Sequence, residues 1–342
     1  MTDATPAVAV TIARDRRPAP AAQDDGNQYL KVWKEKDSLN GKQVDAFVLI
    51  LRTSGCYWAK VKGCTMCGYA RETMAGQATK ENIEHQVNSA LERYKGEPYV
   101  KVFTSGSFLD PQEVPVEARE SVTKAFRGKA KRFLFESLPE FVSEDALTGL
   151  RDSFGGELEV AVGLETTQED VLRRSVSKVS SVKDYLDAAV RIGKSGALPK
   201  AYLLLKPPFL TEREAIEDAV TSIEVASKYF STISLNPVNV QGRTVAEHLW
   251  RRHQYRPPWL WSLVEAMVRG KESIDPSVRL VSFPTSGGNV RGVHNCLACD
   301  SRILKAVEWA SLTQDFANLK NVVDCSCKET WKWESALEAM AP

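Results

Sequence analysis

The stretch VDAFVLILRTSGCYWAKVKGCTMCGY, residues 44–69, decides the fold. Its opening run VDAFVLIL has the length and apolar composition of a strand buried on both faces of a parallel sheet. The strand leads directly into a loop carrying Cys56, Cys64 and Cys67 in the spacing C-x7-C-x2-C. Downstream, helices over 81–94, 116–127, 143–152, 182–194 and 212–228 alternate with strands over 99–104, 132–136, 157–164, 200–205 and 232–235. Together with 44–51 these make six strand-and-helix units. Such a rhythm predicts a parallel sheet with right-handed crossovers, an α/β chain curled as a partial (βα)6 barrel. Ligand sites of these sheets lie at the carboxyl ends of the strands, where the βα loops converge. The polar and glycine clusters fall at those ends: 52–67, Ser105-Gly106-Ser107, 136–140, Glu165, 206–208 and 236–241.

The whole chain has 342 residues, with 45 Lys and Arg against 44 Asp and Glu. A net charge of +1 excludes bulk attraction to a polyanion, so any nucleic acid must be met by a local patch. No apolar run approaches the roughly 20 residues that a membrane span needs. Residues 1–27, rich in Ala, Pro, Asp and Arg, read as a mobile tail, 28–242 as the barrel, and 243–342 as a C-terminal extension. Asp3 stands where a secretory signal would carry positive charge, and the cysteine count of seven is odd. Both point to a reducing, cytoplasmic compartment. Three cysteines near the first strand, four near the end and none between 67 and 296 make the partition of two metal sites.

Three thiolates on one loop can hold three irons of a 4Fe-4S cluster and leave the fourth open to an exogenous ligand. The alternatives are a zinc knuckle short of one ligand, or three buried thiols. Near the C-terminus, HNCLACD and DCSCKETW place Cys296, Cys299, Cys325 and Cys327 as C-x2-C, a gap of 25 residues (325 − 299 − 1), then C-x-C. This set suits a tetrahedral structural zinc, or an auxiliary iron-sulfur cluster, with His294 able to replace one ligand. His85, His248 and His253 have no ligand-like spacing. The stretch 241–261 interleaves Arg243, Arg251, Arg252 and Arg256 with Trp250, Tyr255, Trp259 and Trp261. It reads either as phosphate and base contact on an RNA or as an amphipathic segment whose aromatic rings pack on the barrel.

On the three-cysteine loop after the first barrel strand, the sequence resembles the radical S-adenosylmethionine (SAM) superfamily, with a longer first gap than the common C-x3-C-x2-C. The resemblance implies that the open iron chelates the amino and carboxylate groups of SAM. By position it implies SAM contacts from Met66 and Tyr69, and from the backbone of Ser105, Gly106 and Ser107, a motif that lacks the usual acidic third residue here. Glu136 of FESLPE and Glu165 of VGLETTQEDVLRRS match residues that hold the ribose; Lys178 or Arg174 matches the basic residue on the SAM carboxylate. LLLKPPFLTE and VNVQGRTVAE occupy the places of the loops after strands five and six.

Over nearly the whole chain after the tail, the segments GCTMCGY, SGSFLDPQEVP, LNPVNVQG, NCLACD and CSCKE resemble the archaeosine-biosynthesis radical SAM protein family (RaSEA). This implies an archaeal tRNA-modifying enzyme carrying a 4Fe-4S cluster, SAM and zinc. Its partner would be a lysine-transferring, transglycosylase-type archaeosine synthase subunit. Its reaction would be a lyase-type C–N cleavage of the lysine-derived side chain on a 7-deazaguanine in the tRNA D loop. Asn236 and Asn239 stand as substrate contacts. Two alternatives stay open: a different radical SAM modification of RNA, and a non-catalytic iron-sulfur and zinc RNA-binding subunit.

Overall fold

A computed structural model describes residues 26–74, 76–322 and 325–338. Residues 1–25 of the expected tail lie outside the described residues. The described chain begins with a hairpin of β1 (Lys31–Leu39) and β2 (Lys42–Ile50), antiparallel across Asn40 and Gly41. Both turn residues have positive φ, 49° and 74°, the conformation that makes Asn-Gly the common two-residue hairpin turn. There follow α1 (Tyr57–Val61), α2 (Lys80–Leu91), β3 (Tyr99–Phe103), α3 (Val116–Ala125), β4 (Arg132–Glu136), α4 (Glu144–Phe154) and β5 (Glu157–Glu165). After a π-helical turn at Val171–Val176 come α5 (Val182–Lys194), β6 (Leu198–Leu205), α6 (Glu212–Ala226), β7 (Thr232–Pro237), α7 (Val245–Arg251) and α8 (Leu260–Glu272). The described residues end with β8 (Arg279–Val281), α9 (Asp300–Thr313), α10 (Ala317–Lys320) and α11 (Cys327–Glu338).

One sheet contains all eight strands in chain order, and every pair after the hairpin is parallel. The six expected strands are β2 to β7. β1 and β8 extend the sheet at its two edges, and β8 carries it past residue 242 into the expected extension. The crossover helices begin where local chemistry satisfies their free N–H groups. Thr79, Ser181 and Thr211 each form a reciprocal capping box with the residue three positions on. α4 stops at Gly155, which takes the left-handed φ of 75° at its C-cap.

Period-two alternation sorts each strand into an outer and an inner face. Phe47, Leu49, Val100, Val102, Phe133, Phe135, Val160 and Val162 face outward, fully buried in the main core. The inner face is charged near the amino ends of the strands. Lys101 bridges Asp37 at 2.5 Å and Glu35 at 2.6 Å, and Tyr99 donates its hydroxyl to Glu159, which Arg132 approaches at 3.8 Å. β1 and β8 do not pair with each other, yet Arg279 of β8 reaches Asp37 of β1 at 3.2 Å, so an ion pair spans the open seam. These groups fill the amino-terminal half of the lumen, which leaves the carboxyl end for a ligand. Among the described residues no helix is long and apolar enough to cross a membrane.

Candidate functional site

Cys56 caps the start of α1, and Cys64 and Cys67 lie in the turn beyond it, joined by the Cys67 N–H to the Cys64 carbonyl at 3.3 Å. All three are half-buried cysteines outside any disulfide. The loop is pinned by groups other than sulfur. The Thr65 N–H donates to the Val176 carbonyl at 3.0 Å, and its hydroxyl to the Ser175 carbonyl at 2.6 Å. Trp58 Nε1 donates to the carbonyl of Ser177, a left-handed residue, at 2.8 Å. The Ala246 N–H of α7 donates to the Thr65 carbonyl at 3.2 Å, and the Gly68 N–H to Gln241 Oε1 at 2.6 Å. Fixing the loop this way means that its ligands are positioned before any group binds.

Ser105-Gly106-Ser107 packs directly against this loop: a Cβ on Gly106 would come within 2.5 Å of the Cys56 Cβ. The acid that the motif lacks arrives from six residues beyond Ser107. The turn at 110–113, closed by Asp110 accepting the Gln112 N–H at 2.8 Å, brings the fully buried Glu113 back into the motif. Its Oε1 accepts the Thr53 hydroxyl at 2.8 Å and the Gly106 N–H at 3.0 Å, and its Oε2 accepts the Ser107 N–H at 2.6 Å. One carboxylate thus ties the loop after β2 to the loop after β3. Burial pushes its pKa above the usual carboxylate value. Glu113→Ala is expected to destabilise the protein by about 3–5 kcal/mol, because three buried donors lose their acceptor. Chemical denaturation measures this, and Glu113→Gln should lose less than half as much; an unchanged midpoint for the alanine variant would contradict the assignment.

Glu136 ends β4, half-buried, with the Tyr202 hydroxyl as partner; burial first and Glu165 second raise its carboxyl to about 7. Glu165 ends β5 at a bulge, with φ of 67°, and forms an ion pair with Lys178 at 2.9 Å. Gly163 makes room for that pair, since a Cβ there would lie 2.6 Å from Glu165 Oε1. Burial opposes the Lys178 charge, but Glu165 beside it holds the ammonium protonated well above its usual range. Lys178 faces Cys64 and Tyr185, whereas Arg174 is exposed on the π-helical turn. Of the two basic candidates the fold therefore brings Lys178 to the strand ends. Tyr69 hydrogen-bonds Gln241 and stands near Cys67 and Glu136, and Met66 packs half-buried on the core. Asn236 accepts the Ser234 hydroxyl at 3.0 Å and Asn239 accepts from Gln241 Nε2 at 3.4 Å, so both adjoin the site through the end of β7. Glu113, Gln241 and Tyr202 escape a sequence reading, since each is recognisable only by what folding places beside it.

Cys296, Cys299, Cys325 and Cys327 bring their sulfurs within 4.8 Å of one another. Three edges measure 3.8 Å (296 to 299), 3.7 Å (296 to 325) and 3.7 Å (299 to 327). His294 stays outside the group, its Nδ1 engaged with the Gly292 carbonyl at 2.8 Å. Trp261 Nε1 donates to Cys327 Sγ at 3.3 Å. Trp261, Trp259 and Tyr255 are buried in the core, so packing rather than base stacking accounts for these three aromatics of the 241–261 stretch.

No protein-family profile matches the chain. Among solved structures, queuine lyase from Clostridium spiroforme bound to SAM and queuine is 21% identical, covering 59% of this chain and 78% of its own, with a TM-score of 0.44, too loose a likeness to carry residue roles. The archaeosine synthase subunit beta of Thermococcus kodakarensis is 38% identical over 309 residues, spanning 88% of this chain and 95% of the relative. That of Methanosarcina acetivorans is 39% identical over 311 residues, spanning 90% of this chain and 89% of the relative. With such identity along almost the full length of both relatives, the chain belongs to the archaeosine synthase subunit beta family.

Proposed function

We propose that this protein is a radical SAM enzyme that completes archaeosine formation in tRNA, acting on a 7-deazaguanine of the D loop after a transglycosylase-type subunit has attached lysine. The bond broken is the C–N bond of the lysine-derived side chain, leaving a formamidine on the base. The observation that carries the reading is the pinned three-cysteine loop at the carboxyl ends of a parallel half-barrel. Cys56, Cys64 and Cys67 would hold a 4Fe-4S cluster, which with SAM supplies a 5′-deoxyadenosyl radical by one-electron reductive cleavage.

The chain's own groups set the geometry. Glu113 takes the N–H groups of Gly106 and Ser107, so the turn Ser105 to Ser107 has carbonyl oxygens to offer, acceptors suited to an ammonium such as the SAM amino group. Glu136 and Glu165 present carboxylate oxygens that can accept vicinal ribose hydroxyls. Lys178 balances Glu165 and offers the cation for a carboxylate. Met66 and Tyr69 wall the loop side, and Asn236 and Asn239 at the β7 end offer amides to the base.

The C-terminal cysteines support a single tetrahedral ion, with zinc the fitting metal: Zn–S bonds of about 2.3 Å give sulfur–sulfur edges of about 3.8 Å, matching the 3.7–3.8 Å edges here. Seven cysteines outside any disulfide suit a reducing cytoplasm.

The test is anaerobic reconstitution with iron and sulfide, then SAM and dithionite with lysine-modified tRNA. Expected are 5′-deoxyadenosine and archaeosine in matching amounts. A preparation with an intact 4Fe-4S spectrum that forms neither sinks the catalytic reading.

A further inference from the structure

Beside the cysteine loop lies a groove of about 860 Å³, walled by the loop after β6 and by the turn that follows α7. That volume is in the range of ligand sites. Each wall is tied to Thr65 of the cysteine loop. On one side Ser175 donates its hydroxyl to the Pro208 carbonyl and accepts at its own carbonyl from Thr65; on the other, Ala246 of α7 donates to the Thr65 carbonyl. The groove therefore runs along the rim of the barrel mouth.

Two features of its lining point to a ligand. The first is charge: Lys206, Arg251 and Arg256 face one acid, Glu338, with His253 alongside. Lys206 is spent on buried Glu212 at 2.6 Å, and Arg256 stacks 3.8 Å from the Trp259 ring. Arg251 is 67% exposed with its partner Glu247 shared by Arg291, and Arg252 and His253 are exposed beside it. The second is strain. Among the described residues ten non-glycine positions have positive φ, and three of them, Lys206, Phe209 and His253, line this groove. A left-handed phenylalanine is a costly choice, and Phe209 spends it on holding a ring 51% exposed to solvent. Nothing in the packing of the core requires that ring.

We propose that this groove holds a single-stranded stretch of the tRNA, one base lying on Phe209 and the flanking phosphates on Arg251, Arg252 and His253. The proposal rests on the tRNA-modifying reading above and adds to it the surface that feeds the opened strand into the barrel mouth. An exposed ring face opposite exposed cations suits an unstacked stretch of RNA. Net charge near zero makes such a local patch necessary. Hydrogen bonds between Thr65 and the segments that carry both walls link the groove to the cysteine loop.

The experiment uses the reconstituted protein, a fluorescent tRNA transcript and anisotropy at fixed salt. The variants are Phe209→Gly, His253→Gly and Arg251→Gln. Glycine removes the ring and at the same time suits the left-handed backbone. Phe209→Gly should therefore weaken tRNA binding roughly tenfold while thermal stability holds or rises, a combination that loss of a structural residue does not produce. Arg251→Gln should weaken binding and lower the salt dependence by about one counterion. SAM cleavage without RNA should match the parent in all three. If the parent binds tRNA and the variants bind it equally well, the groove is not the RNA path. If they keep tRNA but lose the partner subunit, the groove is a protein interface and the proposal is overturned. If the parent itself shows no tRNA affinity, alone or with its partner subunit, the tRNA reading falls and this proposal with it.

Discussion

Gly106→Ala is expected to cost the protein the 4Fe-4S cluster proposed for Cys56, Cys64 and Cys67, and with it at least a hundredfold in SAM cleavage. The reason is steric. A Cβ at this position meets the Cys56 Cβ at 2.5 Å, the Cys56 Cα at 2.7 Å and Glu113 Oε2 at 2.7 Å. Gly106 is not among the residues with left-handed backbone, so the substitution adds crowding without conformational strain. None of the three opposing atoms is free to retreat. Two belong to or adjoin the backbone of the cysteine loop, held by Thr65 and Trp58, and the third is the carboxylate held by Thr53 and Ser107. Relief must come from moving Cys56, the ligand whose position the cluster needs. Overpacking of this kind costs about 1–3 kcal/mol, so the protein should still fold, and iron content should fall further than stability does. Iron and sulfide analysis, the visible absorption of the cluster and 5′-deoxyadenosine yield measure the effect. Gly149→Ala is the matched control. It lies inside α4 with nothing within 4 Å of its added Cβ, and should stabilise the helix by about 0.5–1 kcal/mol with full iron. A Gly106→Ala protein with normal iron and activity would show that the loop yields freely.

How much of this was legible beforehand follows from which interactions are local. β2 to β7 announce themselves because their outer faces are continuous with the core, and apolar runs of strand length stand out. β1, KVWKEKDSL, does not, because its inward residues are acids that meet lysines of the lumen: Glu35 and Asp37 are chosen for Lys101, not for a hydrophobic face. β8 is three residues long, too short for any periodicity. In the site the same division holds. The two cysteine groups are readable from spacing alone, and folding gathers the sulfurs of the second within 4.8 Å of one another. Glu113 and Gln241 are not, because their partners Thr53 and Gly68 lie 60 and 173 positions away and only the closed barrel brings them together. The signal available for Glu113 was an acid in a tight turn shortly after a glycine motif that lacked one. The arginine and aromatic stretch divides between its two readings, the buried rings packing on the barrel and the exposed cations staying in solvent. Its composition suits RNA, but Tyr255, Trp259 and Trp261 are committed to the core, and the exposed ring that the groove offers, Phe209, comes from another loop.

Cys327→Ala should remove the metal proposed for the C-terminal cysteines and destabilise the protein by roughly 4 kcal/mol or more. α11 is a helix of 12 residues, too short to persist by itself in water. It is held onto α6 and α8 by a chain of polar contacts: Trp331 Nε1 donates to Ser262 at 2.8 Å, Trp259 Nε1 to Glu334 at 3.0 Å, and the Glu212 N–H to Glu338 at 2.7 Å. Ser262 in turn donates to Glu212, the partner of Lys206. Cys327 is the first residue of this helix and Cys325 precedes it, so a metal bound with Cys296 and Cys299 staples α11 to the start of α9. Without the staple, each of those contacts must support the helix unaided, and buried groups such as Ser262 and Glu212 face water. The loss should therefore reach beyond the module to the loop after β6. Expected are zinc falling from one per chain to none with iron at the first three cysteines retained, a lower melting temperature, and a red shift in fluorescence as Trp261 and Trp331 meet solvent. Chelation of the parent protein should reproduce the last two changes. If the variant keeps its metal and its melting temperature, the four sulfurs are not a structural site; if the metal lost proves to be iron with sulfide, the centre is an auxiliary cluster and the single-ion geometry has been misread.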